Sequence, residues 1–264
     1  MKPPEIAGFY VAWCDEFYGP AGSPPSSQNW TLQTPPFNWN HEWQRYTNST
    51  DNAFLDGNGQ LVIAPRKVNG QWTSARLHGN HNFGCDPNRK MIFAARIKLG
   101  QNPPWQQQGI WPAWWALGQS MRRGTHWPKC GEWDIMELRN GSSTNQGAVH
   151  QTDIYGNHAE SHGYIDFDRR DYHTWAVLID LSDGDYSKQT IKFQLDGQTY
   201  YTVQGDGSSW ATREGWDRCG RSPFFPILNI AVGGDHPGNP NDNTLPGVES
   251  GMTIQWLAVY KSWY

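Results

Sequence analysis

Residues 130–140 read CGEWDIMELRN. Three carboxylates, Glu132, Asp134 and Glu137, fall among side chains that favour burial: Trp133, Ile135, Met136 and Leu138. Successive side chains of a β-strand point to opposite faces, so Glu132 and Asp134 share one face while Trp133 and Ile135 take the other. Glu137 has the wrong parity for the acidic face. One extra residue at a β-bulge, at Ile135 or Met136, returns it there. The change of spacing from two residues to three then marks a strand that aims three acids at one place.

The chain on either side supports a strand at that position. Strand-like segments recur as GQLVIAP (59–65), KMIFAARIKL (90–99), QGAVHQTDI (146–154), HTWAVLIDL (173–181), QTIKFQLDG (189–197), FPILNIAVGG (225–234) and MTIQWLAVYK (252–261). Turn residues separate them, as in DGNGQ, SDGDY and LDGQT. The 264 residues include 28 Gly, 18 Pro and 16 Trp, with 17% charged residues, a profile of short strands joined by turns. No long amphipathic helix, Pro/Ser linker or fixed-period repeat interrupts it. The expectation is an all-β, single-domain antiparallel β-sandwich over residues 1–264, a β-jelly roll with an open concave cleft.

Charge and hydropathy exclude other classes. A net charge of −4 without a Lys/Arg run gives no basis for nucleic-acid binding. The mean hydropathy of −0.75, with no apolar run near the roughly 18 residues of a span, excludes a helical membrane segment. The N-terminal MKPPEIAGFYVAWCDEF lacks the apolar block of a signal peptide. Cys14, Cys85, Cys130 and Cys219 lie far apart, without CxxC spacing. Two disulfides in any of three connectivities, or free buried thiols, are equally allowed. Cys130, beside the acidic strand, is expected to be buried or disulfide-bonded. Sequons at Asn29, Asn48 and Asn140 fit a secreted protein, and secretion is the expectation.

Two glutamates either side of a shorter aspartate suit retaining glycoside hydrolysis, in which one carboxyl group is nucleophile and the other acid/base. Crowded like charges raise at least one pKa and keep a proton for the leaving group. An acidic strand edge or a calcium site is the alternative for the acids alone. Aromatic residues favour the sugar reading. In GIWPAWWALG (109–118), Trp111 and Trp115 share a strand face by period two, and Trp127 precedes the acids. Their rings suit the apolar faces of sugars.

With these motifs in place the sequence resembles glycoside hydrolase family 16, in its laminarinase-like branch. The resemblance rests on GIWPAWWALG, WPKCGEWDIMELRNG, GAVHQTD and ILNIAVGGDHPGNP, and more loosely on WCDEF and NHEWQRYT. It implies a retaining endo-β-glucanase acting on β-1,3 bonds, as in laminarin or mixed-linkage glucan. Glu132 would be the nucleophile, Glu137 the acid/base, and Asp134 the residue that hydrogen-bonds and tunes the nucleophile. His150 would contact the reacting sugar or Glu137, and Asn40 and Arg76 would line the donor side. Trp111, Trp115 and Trp127 would hold the glycan chain. Alternatives on the same fold are a galactan hydrolase, a transglycosylase or a non-catalytic lectin. No organic cofactor is expected, and a monomer is. Family members often carry a tryptophan where this chain has Asp235-His236-Pro237. Many also hold a structural calcium through an aspartate where this chain has Gln255, whose neutral amide is a poor ligand for a hard cation.

Overall fold

The structure, a computed structural model, describes residues 1–35, 39–206 and 212–263. Among them two antiparallel sheets pack face to face, as the sequence predicts. The outer sheet runs Gln198–Gln204, Thr190–Leu195, His173–Asp180, Lys90–Leu99, Met252–Ser262, Leu61–Ile63 and Ala53–Leu55, and Phe9–Asp15 also pairs with Met252–Ser262. The cleft sheet runs His158–Asp166, Thr144–Thr152, Glu132–Glu137, Ile110–Gly118, Phe224–Val232, Arg76–Gly79 and Trp30–Leu32. A small third sheet contains one short parallel pair, Arg45–Tyr46 with Gln71–Ser74.

Departures from the expected boundaries have local causes. The strand expected over 225–234 stops at Val232 because Gly233 and Gly234 take φ of 73° and 103°, which ends the ladder. The edge strand His158–Asp166 was not anticipated. Its sequence, HAESHGYID, alternates between exposed and half-buried positions but is too polar to announce a buried face.

The layer between the sheets is aromatic. Trp133 stacks on Phe224 with ring centroids 3.7 Å apart, and its indole N–H donates to the Cys219 carbonyl at 2.9 Å. Phe93 of the outer sheet meets Trp114 and Trp133 at 6.3 and 5.7 Å. Such buried rings each carry roughly 3–5 kcal/mol, judged by the cost of truncation to alanine. Trp133 therefore anchors the acidic strand from its inner face.

The four cysteines are free, and Cys85, Cys130 and Cys219 are buried. Burial pushes each of these three thiols up to about 12, which keeps them protonated and unreactive. Of the two expected fates for Cys130, burial is the one observed. Two of the three sequon asparagines have structural tasks. Asn29 Nδ2 donates to Asp15 at 2.8 Å. The Asn140 amide accepts from Gly109 N–H at 2.6 Å and donates to the Pro237 carbonyl at 2.9 Å. Asn48 is exposed.

Candidate active site

The bulge lies where the spacing requires it. Asp134 pairs with Ala148 and Glu137 with Gln146, leaving Ile135 and Met136 opposite Gly147 alone. On the other flank Trp115 pairs with Asp134 and Trp114 with Met136, so Ile135 is the extra residue. Both Ile135 and Met136 are fully buried, and Glu137 emerges on the same face as Glu132 and Asp134. From Glu132 to Glu137 the acidic strand takes five steps while its neighbour takes four, His150 to Gln146. The bulge thus absorbs one residue without displacing the second glutamate from its row.

A bulge leaves backbone groups without ladder partners. Here a buried side chain supplies them. Asn145 Oδ1 accepts from the Glu137 N–H at 2.8 Å, and Asn145 Nδ2 donates to the Ile135 carbonyl at 3.3 Å and to the Tyr200 hydroxyl at 3.0 Å. Asn145 is a positioning residue for Glu137 that the acid spacing did not reveal.

Around the acids lies an open cleft of about 660 Å³. All the residues singled out from sequence line it: Glu132, Asp134, Glu137, Trp111, Trp115, Trp127, His150, Asn40 and Arg76. Trp111 Nε1–H donates to Glu137 Oε1 at 3.0 Å. Trp115 Nε1–H donates to Asn229 Oδ1 at 2.7 Å, and its ring lies 4.7 Å from the Arg76 guanidinium, which Trp39 approaches at 4.3 Å. Both tryptophans are therefore tied by their polar edges while their rings face the cleft. Trp127 is exposed and packs against His158 at 4.8 Å and His150 at 6.1 Å. Asn40 stands at the rim with φ 52°, its carbonyl accepting from Asp235 N–H at 2.9 Å.

Two expected contacts are corrected. His150 was expected against the sugar or Glu137; the contact to Glu137 is not formed, since its Nε2–H donates to Asp134 Oδ2 at 2.8 Å, with Glu132 Oε1 at 3.9 Å. The cross-strand register explains this, since His150 sits opposite Glu132 whereas Glu137 is rows away opposite Gln146. Asp134 was expected to hydrogen-bond the nucleophile. Its hydrogen bond goes to His150, and it acts on Glu132 through charge.

Burial first, and then the charge of Asp134, push both glutamates above the usual carboxylate range, Glu137 to about 8. The Trp111 N–H and the positive charges of His150 and Arg139 oppose the rise at Glu137, and His150 and Arg76 oppose it at Glu132. Two such glutamates titrate as a pair, so the cleft retains a proton in neutral solution. At His150 burial disfavours the cation, but the hydrogen bond and charge of Asp134 outweigh it and carry the imidazole up to about 10.

Sequence reasoning missed a polar layer beneath Trp115. Glu42 accepts from Gln44 Nε2 at 2.6 Å and from the Tyr46 hydroxyl at 3.3 Å, and Asn229 Nδ2 donates to Tyr46 at 3.2 Å. Burial raises the Glu42 carboxyl. The available signal was the alternation in NHEWQRYT, where polar Glu42 and Gln44 and the phenol Tyr46 hold the buried parity and Trp43 and Arg45 the exposed one. The loop that carries no tryptophan still reaches the cleft: His236 packs 4.9 Å from Trp111 and accepts from Arg139. At the position expected of a calcium ligand, Gln255 Oε1 accepts from Arg96 Nε at 2.9 Å. A guanidinium against that oxygen does not fit a hard cation there.

A carboxylate pair between tryptophans, on the concave sheet of a jelly roll, defines the class as a glycoside hydrolase. The model of XgeA-like catalytic domains of glycoside hydrolase family 16 matches residues 74–165, which hold Arg76 and both the tryptophan and acidic strands. The chain is 30% identical to the endo-1,3-β-glucanase of Streptomyces sioyaensis, with a TM-score of 0.87 and 99% of each chain covered. It is 30% identical to the endo-β-1,3-glucanase of Pyrococcus furiosus, with a TM-score of 0.74 and coverage of 98% and 97%. It is 28% identical to glucan endo-1,3-β-glucosidase A1 of Niallia circulans over 98% of this chain, which spans 39% of that protein. The protein belongs to glycoside hydrolase family 16.

Proposed function

We propose that the protein is a retaining endo-β-glucanase that hydrolyses β-1,3-glucosidic bonds of laminarin-type and mixed-linkage glucans. The observation that carries this reading is the bulge that brings Glu132 and Glu137 to one face with tryptophans on either side. The endo-1,3-β-glucanases to which the chain is similar support the substrate class. Glu132, whose carboxyl burial and Asp134 raise while His150 and Arg76 favour its charged form, acts as the nucleophile when ionised. Glu137, which burial keeps protonated, donates a proton to the glycosidic oxygen as Glu132 attacks the anomeric carbon. The departing sugar leaves a covalent glycosyl-enzyme. Water, deprotonated by Glu137, then attacks the same carbon and releases the sugar with its configuration retained.

Asp134 and His150 hold the charge balance beside the nucleophile, and Trp111, Trp115 and Trp127, with Asn40 and Arg76, hold the glycan. The two carboxyl groups serve both steps, so no organic cofactor enters the scheme. We further propose that the protein acts as a secreted monomer, since one chain supplies the whole cleft and its polymeric substrates lie outside cells.

A product assay across laminarin, lichenan, carboxymethylcellulose, agarose and arabinogalactan tests the substrate. New reducing ends from laminarin, with mixed oligosaccharides early in the reaction, are expected. Activity confined to a galactan would overturn the glucanase reading and leave the double-displacement chemistry standing.

Trp111 offers a test of the acid. Its N–H stabilises the Glu137 carboxylate and so lowers that pKa. In Trp111→Phe the donor is gone, Glu137 holds its proton to higher pH, and the alkaline limb of kcat/KM moves upward by roughly one pH unit, the worth of a hydrogen bond to a charged group. A limb that moved downward would show that another group sets it.

A further inference from the structure

At the end of the cleft beside Trp127, three metal-ligating side chains converge, two of which have no part in the hydrolytic scheme. His150 lies directly opposite Glu160 across the two strands, and His158, two residues before Glu160, shares its face by strand alternation. His150 gives Nε2 to Asp134, which turns Nδ1 outward to lie 2.9 Å from His158 Nε2 and 3.5 Å from Glu160 Oε2. One ligand atom from each residue falls within 4.8 Å of the others. The cluster is also braced. Trp127 packs against both imidazoles, and His162 Nδ1 lies 3.0 Å from the other Glu160 oxygen.

We propose that His150 Nδ1, His158 Nε2 and Glu160 form a binding site for a borderline divalent metal ion of the zinc class at the rim of the cleft. Two imidazole nitrogens and one carboxylate oxygen are the donor set that such ions prefer. Bonds of about 2.0–2.1 Å to a tetrahedral zinc place neighbouring ligand atoms a little over 3 Å apart, close to the spacing of the two ring nitrogens here. The Asp134–His150 hydrogen bond is the carboxylate–histidine arrangement that orients a ligating ring. The ion takes the place of the proton that the two rings share, and a water from the open side completes four-coordination. Seated there, it would occupy His150 and obstruct sugar binding beside Trp127, so zinc acts as a competitive inhibitor.

The binding test does not depend on the glucanase reading; only the inhibition arm does. Calorimetric titration of zinc into chelator-stripped protein at mildly alkaline pH should give one ion per chain. His158→Ala and Glu160→Gln, each of which removes a ligand, should weaken binding by more than about 100-fold, above the roughly 10–100-fold that loss of a supporting contact costs. His162→Ala, which removes only the brace on Glu160, should weaken it by roughly 10-fold, less than either ligand variant. Both ligand positions are exposed, and a metal-free melting temperature near that of the parent confirms that each variant is folded. With laminarin as substrate, zinc should raise KM and leave kcat unchanged, EDTA should reverse the effect, and His158→Ala should be insensitive to zinc. Absence of saturable one-to-one binding, or equal affinity in the parent and both ligand variants, would overturn the site. Zinc that binds through His158 and Glu160 without changing KM would overturn the inhibition. Failure of the substrate reading would appear separately, as no turnover of laminarin in metal-free solution.

Discussion

Replacing Glu132 by alanine is expected to lower polysaccharide hydrolysis on the order of 10⁵-fold, the scale of losing a covalent nucleophile. The substitution leaves a cavity on the face of the sugar where the carboxylate acted. Trp133, stacked on Phe224 beneath, keeps the strand in place, so the cavity persists. Azide can enter it and attack the anomeric carbon directly while Glu137 still protonates the leaving oxygen. Turnover therefore returns with added azide, and the product is a glycosyl azide of inverted configuration, because one displacement replaces two. Product configuration by nuclear magnetic resonance decides the matter. A retained glycosyl azide from this variant would exchange the roles of the two glutamates.

Glu137→Gln should separate substrates by their leaving groups. On natural polysaccharide the loss is about 10²–10⁴-fold, the usual contribution of a positioned acid. An activated aryl glycoside needs no proton, so Glu132 still forms the intermediate, and azide accelerates the second step to give a glycosyl azide of retained configuration. The pH profile supplies a second readout. In the parent, Glu137 is active as an acid while protonated and loses that function as pH rises through about 8. Glutamine does not titrate, so the variant acting on the aryl glycoside should lack that alkaline limb. Full activity on polysaccharide would remove Glu137 from the mechanism.

Much of this arrangement was legible because strands have a period of two and buried side chains obey it. The acid spacing alone located the bulge to within one residue, and the tryptophans at 111 and 115 fell on the cleft face that parity gave them. What parity conveys is a face; it does not convey which strand lies alongside. The partner of His150 followed from a register that no local pattern encodes, and so the histidine was expected beside the wrong acid. His158 and Glu160 were missed for a different reason, since they lie on an edge strand too polar to stand out from a loop. Asn145 escaped because its task exists only once the bulge has left two backbone groups wanting partners. The cysteines were ambiguous because an even count fits crosslinks and buried thiols alike.

The hold of Asn145 on the bulge reaches further than the cleft. The same amide that supports the backbone around Glu137 donates to the Tyr200 hydroxyl, on the Gln198–Gln204 strand of the opposite sheet. Gly147, the residue facing the bulge, has no side chain to keep that phenol away; a Cβ there would collide with it. The aim of one glutamate is thus set partly by a layer that never meets substrate, in the way a keystone answers to both sides of an arch. A change at Tyr200 can then retune turnover while every residue that lines the cleft is kept, and a selection for altered rate or temperature dependence would find a foothold there.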